Sequence, residues 1–256
     1  GFLALLQANP GVDPYVPRAG SVLTIPLQTL LPDAPREGIV INLAELRLYY
    51  YPPGKNEVTV YPIGIGQLGG DTLTPTMVTT VSDKRANPTW TPTANIRARY
   101  KAQGIDLPAV VPAGPDNPMG HHAIRLAAYG GVYLLHGTNA DFGIGMRVSS
   151  GCIRLRDNDI KALYNTISPG TKVNIINTPI KASVEPDGRR LVEVHQPLSE
   201  HIDDDPQTLP ITLNAAMTAF KQAPQTDGTV MERAMNYRSG MPIDVTRHAA
   251  PGPQSL

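Results

Sequence analysis

The chain is expected to be mainly β with some α, and three features of the sequence point that way. Apolar and polar residues alternate over short runs such as 58–66. Pro (26) and Gly (23) together make up about a fifth of the 256 residues and are spread rather than clustered, as in a loop-rich β protein. One segment, 160–167, carries a clear helical repeat instead. The length suffices for one medium domain with small attachments.

In chain order, residues 3–9 read as the end of a helix closed by Asn9-Pro10-Gly11, and Val22-Leu23-Thr24-Ile25-Pro26 as a short strand. Ile39-Val40-Ile41-Asn42 and Leu46-Arg47-Leu48-Tyr49-Tyr50 flank a Leu-Ala-Glu turn, and residues 58–66 form one further half-buried strand. Tyr49 to Tyr51 alternate faces, so at least one ring is expected on the solvent side, in hairpin packing or against substrate. Residues 69–118, rich in Gly, Pro, Thr and Asn, read as a functional loop, a lid or groove wall, interrupted by a helical piece from Ala94 to Gln103. Trp90 is either a core anchor beneath that loop or part of the wall.

Ala123 to Ala127 and Val132 to His136 read as a hairpin. Downstream, Asp157 is the expected N-cap, with Asp159 in the acidic first turn of a helix. Ile160, Leu163, Tyr164 and Ile167 recur at i, i+3, i+4 and i+7 on its packed face. Ser168-Pro169-Gly170 stops the helix, and Thr171 to Ile176 is a returning strand. After Pro179 come a two-stranded piece around Ser183 to Val194, an acidic turn at Asp203-Asp204-Asp205-Pro206, and helices near Leu213–Lys221 and Thr229–Ser239. This appendage carries no evident chemistry.

The 22 basic and 22 acidic side chains cancel, and no basic run of five occurs, which argues against a nucleic-acid partner. No window of eighteen apolar residues is present, so no spanning segment is expected. Gly1 is not followed by a basic and then apolar leader, so the chain reads as already processed or trimmed. His121 and His122, adjacent in a strand, point to opposite faces and lack Cys or carboxylate companions, so no metal site is assigned; no cofactor is expected either.

Chemistry concentrates between His136 and Asp159. Cys152 is the only cysteine of the chain, so an intrachain disulfide is impossible and its thiol, if used, is used as a nucleophile. It follows Ser149-Ser150-Gly151, and His136 lies 152 − 136 = 16 residues upstream at the end of an apolar run, with Gly137 leaving room for substrate. His136 is the candidate general base for Cys152. Gly151 allows a sharp turn in which the amides of Gly151 and Cys152 point at a developing oxyanion.

This arrangement, His-Gly, about sixteen residues, then Ser-x-Gly-Cys-Ile-Arg, resembles the L,D-transpeptidase family of bacterial cell-wall enzymes (the YkuD-type domain). Asn117-Pro118-Met119-Gly120 before Ala123-Ile124-Arg125-Leu126 is similar to it as well. The likeness runs from about Gly38 to Thr178, and residues 31–51 resemble the Gram-negative ErfK/YbiS/YcfS/YnhG group, with ErfK-type members expected nearest. Residues 1–36 contain what resembles the second half of a LysM module, or else an ordinary extension, plus a linker. The implied division is 1–36, a catalytic domain of mixed-sheet or β-sandwich type over 37–178 with one helix after the cysteine, and an appendage over 179–256.

The resemblance implies a periplasmic enzyme that works on peptidoglycan tetrapeptide stems. Cys152 would attack the carbonyl joining meso-diaminopimelate to the terminal D-alanine and pass the acyl group to an amine, with the Gly137 carbonyl orienting His136. Asp141 is a rival orienter. The expected acceptor is the C-terminal lysine of Braun lipoprotein; a second stem (3→3 crosslinking) or water (carboxypeptidase) are alternatives, and a non-catalytic wall-binding protein is the reading from another class. Arg154 is either a structural ion-pair partner or a clamp for a stem carboxylate. Ser149 and Ser150 join the substrate-binding set, Ser149 bracing the cysteine loop rather than reacting. Carbapenems are the expected covalent inhibitors, at Cys152.

Overall fold

The computed structural model describes residues 2–13, 15–69 and 72–248. These form two compact units: Ala34–Ile176 with Glu200–Ile202, and Phe2–Asp33 with Asn177–Ser199 and Asp203 onward. Helix α1 (Phe2–Ala8) belongs to the second.

The first unit is built on an eight-stranded mixed sheet, so the chain is mainly β with α. Strands β1 (Gly38–Asn42), β2 (Arg47–Tyr51), β3 (Thr59–Pro62), β4 (Ile65–Gly66), β5 (Met77–Ala86), β6 (His122–Leu126), β7 (Leu134–His136), β8 (Arg147–Ser149), β9 (Ile153–Arg154) and β10 (Lys172–Ile176) are joined by helices α2 (Ala94–Ala102) and α3 (Asp157–Thr166). The large sheet runs β3-β2-β1-β10-β5-β6-β7-β9, and β4 pairs with β8. β10 lies parallel to β1, and β9 parallel to β7, so the segment that follows Cys152 re-enters the sheet beside the strand that carries His136.

Several expectations need correction. The strand expected over 58–66 is two strands, because Gly64 breaks away to bridge Arg154. The stretch 69–118 is interrupted twice rather than once: besides the helical piece, β5 crosses it as a ten-residue strand in the middle of the sheet. Its pattern hid it, since among residues 77–86 only Val81 is buried and no apolar alternation survives. All of β2 is buried, Tyr49 to Tyr51 included, so no ring of that trio is on the solvent side; the Tyr49 hydroxyl donates to buried Glu45 at 2.7 Å. Asp157 is not an N-cap. Arg156 holds that position without a side-chain bond, and Asp157 is the first helical residue.

α3 packs on β6 and β7, burying Ile160 and Leu163 against the sheet face that carries Ile124, Leu126 and Leu135. Burying side chains of this size contributes about 1.5–3 kcal/mol each. His122 shares that face, its ring 4.8 Å from Tyr164 of α3. The opposite face of β6, β7 and β9 is thereby left for the site.

The second unit packs a three-stranded antiparallel sheet, β11 (Ile180–Val184), β12 (Arg190–Val194) and β13 (Pro242–Asp244), with helices α4 (Ala215–Gln222) and α5 (Gly228–Tyr237). Its core includes Val192, Val194, Met217, Met231 and Val245. The segment Val22–Pro26 forms no strand. Asn9 closes it instead, its amide donating to the Thr24 carbonyl (2.8 Å) and accepting the Thr24 N–H (2.7 Å). Residues 29 and 30 are tied in by charge: fully buried Lys181 donates to Thr29 (2.9 Å) and the Leu30 carbonyl (2.7 Å), while Glu193 lies 3.1 Å from Lys181 and accepts the Leu30 N–H. No helix among the described residues is long and apolar enough to cross a membrane.

Candidate active site

Strand register lays out the floor of the site. Residues opposite one another in a sheet share a face, as do alternate residues along a strand. β5 pairs Asp83 with Arg125 and Arg85 with Ala123; β6 pairs Arg125 with Leu134 and Ala123 with His136. β7 pairs His136 with Arg154 and Leu135 with Ile153, which sets Leu134 opposite Cys152. Two rows result on one face: Asp83, Arg125, Leu134 and Cys152 in the first, and Arg85, Ala123, His136 and Arg154 in the second. All eight line one groove of about 680 Å³. His136 and Cys152 are diagonal neighbours, on adjacent strands in adjacent rows, a spacing that side chains bridge.

The imidazole is held in one tautomer. His136 is buried, and its Nδ1 lies 2.6 Å from the Gly137 carbonyl. A carbonyl only accepts, so Nδ1 carries the proton and Nε2 has the bare lone pair. Asp141, the rival orienter, is exposed on a separate turn. Burial, and secondly the charge of Arg154, lower the His136 pKa from 6.5 to about 4, against the opposing Gly137 hydrogen bond. Burial also pushes the Cys152 thiol up, while a hydrogen bond from the Leu134 backbone and the charges of Arg154 and Arg125 pull it back. Both directions favour a thiol beside a neutral imidazole at neutral pH.

The nucleophile loop is braced from several sides. Ser149 is buried, and its hydroxyl donates to the Cys152 carbonyl while accepting the Gly151 N–H at 3.2 Å. The Gly151 amide, the expected oxyanion donor, is thus engaged by Ser149 within the loop. Gly151 is nonetheless required by shape, with φ +103° and only 3.2 Å between an added Cβ and the Tyr133 ring. Its carbonyl accepts from Thr74 at 2.8 Å, and Ser150 accepts from Arg99 of α2 at 2.8 Å. Arg154 enters the groove half-buried, and its Nε has no hydrogen-bond partner.

With this geometry in place, two comparisons bear on it directly. The sequence pattern of the L,D-transpeptidase catalytic domain of YkuD type matches residues 36–175, and that of the L,D-transpeptidase C-terminal domain matches 179–245. The chain belongs to the L,D-transpeptidase family. It is 86% identical over 256 residues to "Probable L,D-transpeptidase YcfS" of Escherichia coli K12, a match spanning all of this chain and 80% of that protein. Against "Probable L,D-transpeptidase YbiS" of the same strain the identity is 53% over 245 residues (95% of this chain, 79% of that one). Against "Probable L,D-transpeptidase ErfK/SrfK" it is 51% over 250 residues (96% and 79%). The expectation that ErfK-type members are nearest is thus corrected, since YcfS is much more similar.

In this L,D-transpeptidase the remaining predicted residues fall in informative places. Trp90 is half-buried and lines the groove, as do Ile96, Arg99 and Tyr100 around α2, so the helical piece within 69–118 is a wall of the site. His121 and His122 do not line it; His121 binds Asp157 through its ring (2.7 Å) and its amide (2.9 Å). Asp157 thus clamps the start of β6 against Gly137. Sequence reasoning missed Asp83, Arg85, Arg99 and Arg125 as groove residues. Three lie on β5 and β6, and β5 reaches β6 only across some forty residues of chain, with Asp83 opposite Arg125, a pairing that no local pattern reports.

Proposed function

We propose that this L,D-transpeptidase cleaves the bond between meso-diaminopimelate and the terminal D-alanine of peptidoglycan tetrapeptide stems. The observation that carries the reading is the diagonal pair on the groove floor: a neutral imidazole with a bare Nε2 beside a protonated thiol. As the sulfur attacks the carbonyl carbon, Nε2 takes the thiol proton and the oxyanion is met by the amide of Cys152. When the C–N bond breaks, His136 returns that proton to the amine of D-alanine, leaving a thioester on Cys152. An acceptor amine then gives its proton to His136, attacks the thioester and expels the sulfur, which is reprotonated. Arg154 clamps a carboxylate on the acyl side, supported by its unpaired Nε.

The acceptor we favour is the C-terminal lysine of Braun lipoprotein, on the likeness of residues 31–66 to the Gram-negative group, with the enzyme working in the periplasm. Intact mass spectrometry with a disaccharide-tetrapeptide tests the donor half-reaction. An adduct equal to donor minus D-alanine, absent from Cys152→Ala, is expected, and no adduct with no D-alanine release would overturn it. Supplying lipoprotein, a second stem or water alone then separates anchoring from 3→3 crosslinking and carboxypeptidase activity. By the same chemistry a carbapenem acylates Cys152, its β-lactam C–N bond opening as the C–S bond forms. The mass shift should vanish in Cys152→Ala.

A further inference from the structure

Arg125 stands beside the nucleophile by more than one route. It shares a row of the floor with Cys152, only Leu134 between them, which places their backbones about 10 Å apart across two strand spacings. The turn linking β6 to β7 then positions both side chains. Tyr129, Gly130 and Gly131 take φ of +51°, +66° and +79° in succession, a left-handed run. That run leaves two consecutive carbonyls facing the floor: Gly131 accepts from Arg125 Nη1, and Val132 accepts from Cys152 Sγ at 3.8 Å. An added Cβ on Gly131 would lie 3.0 Å from Arg125 Cδ, so the side chain is confined as well as bonded. Asp83, opposite Arg125 in register, is instead 3.9 Å from Arg85.

A cation fixed beside a nucleophile, on the side away from Arg154, suits an anion that belongs to the leaving group. In a peptide ending at the residue that departs, the terminal carboxylate is bonded to the carbon next to the scissile nitrogen, three bonds from the attacked carbonyl. We infer that Arg125 binds the carboxylate of the leaving D-amino acid, so that the groove selects stems whose chain ends at that residue. This assignment rests on the donor reaction proposed above and adds the residue that makes the cleavage end-specific.

The test compares kcat/KM for a tetrapeptide donor as the free acid and as its C-terminal amide, in the wild type, Arg125→Gln and Arg125→Lys. A charge-assisted bond to the carboxylate predicts a wild-type preference for the acid of about tenfold or more. Arg125→Gln should bring the ratio to about one, and Arg125→Lys should keep part of it. Because the ratio is taken within one protein, loss of folded material does not disturb it. An equal loss on both donors in Arg125→Gln, or a wild type that does not distinguish them, overturns the assignment. A wild type that releases no D-alanine from the free acid would instead sink the donor reading itself.

Discussion

His136 and Arg154 stand opposite one another across β7 and β9, so a buried imidazole faces a guanidinium on the groove floor. The cation helps keep the base unprotonated, second to burial itself. Replacing Arg154 by Gln removes that charge, so the His136 pKa should rise from about 4 toward its ordinary value. The acid limb of the kcat/KM profile should move to higher pH, whatever the variant does to KM. An unmoved acid limb would show that burial alone sets the base.

The same shift makes stability depend on pH. The folded His136 pKa of about 4 lies below the ordinary 6.5, so between those values the unfolded chain binds more protons than the folded one. Stability therefore falls as pH drops from 6.5 to 4 and the loss levels off below it, amounting to roughly 3 kcal/mol at most. Denaturant midpoints of the wild type and of His136→Phe, measured between pH 7 and pH 4, check this: the variant should lack that part of the slope.

Gly137→Ala should damage the enzyme through position rather than charge. An added Cβ would sit 2.5 Å from Asp157 Oδ1 and 3.3 Å from Ile160, in the seam between α3 and the strand end. Relieving that overlap shifts the carbonyl that holds His136 Nδ1. Overpacking of this kind costs about 1–3 kcal/mol. We expect a lower melting temperature and a fall in kcat, and a crystal structure of the variant should show the His136 to Gly137 hydrogen bond lengthened.

In the second unit, Lys181→Met should be far more disruptive than a surface change. It removes the ammonium that lies 3.1 Å from fully buried Glu193, whose carboxylate also lies 2.7 Å from His195 Nε2. Breaking a buried pair from one side costs about 3–5 kcal/mol. Limited proteolysis should then cut near Thr29 and Leu30, which lose their donor from Lys181; unchanged resistance there would refute the clamp.

Much of the chemistry was legible in the sequence because it is local. His136 followed by Gly137 and the loop before Cys152 are short-range patterns, and the i, i+3, i+4, i+7 repeat gave α3 with Ile160 and Leu163 on its packed face. Asp157 misled because a helix-start Asp ordinarily caps its own helix, whereas here its carboxylate is drawn to His121, thirty-six residues away. β5 stayed hidden because only Val81 in it is buried, and Asp83 and Arg85, which line the groove, put charge where a buried strand would carry apolar alternation.

By itself, then, the sequence determined the family and the mainly β class and singled out Cys152 and His136 as the candidate pair, since each depends on residue types and spacings within a few turns of chain. Tertiary structure alone decided which side chains share the floor with them. The rows that join Asp83, Arg125 and Cys152, or Arg85, His136 and Arg154, arise from cross-strand register. Register is settled by the burial of whole faces against α3 and the rest of the core, and no stretch of neighbouring residues encodes it.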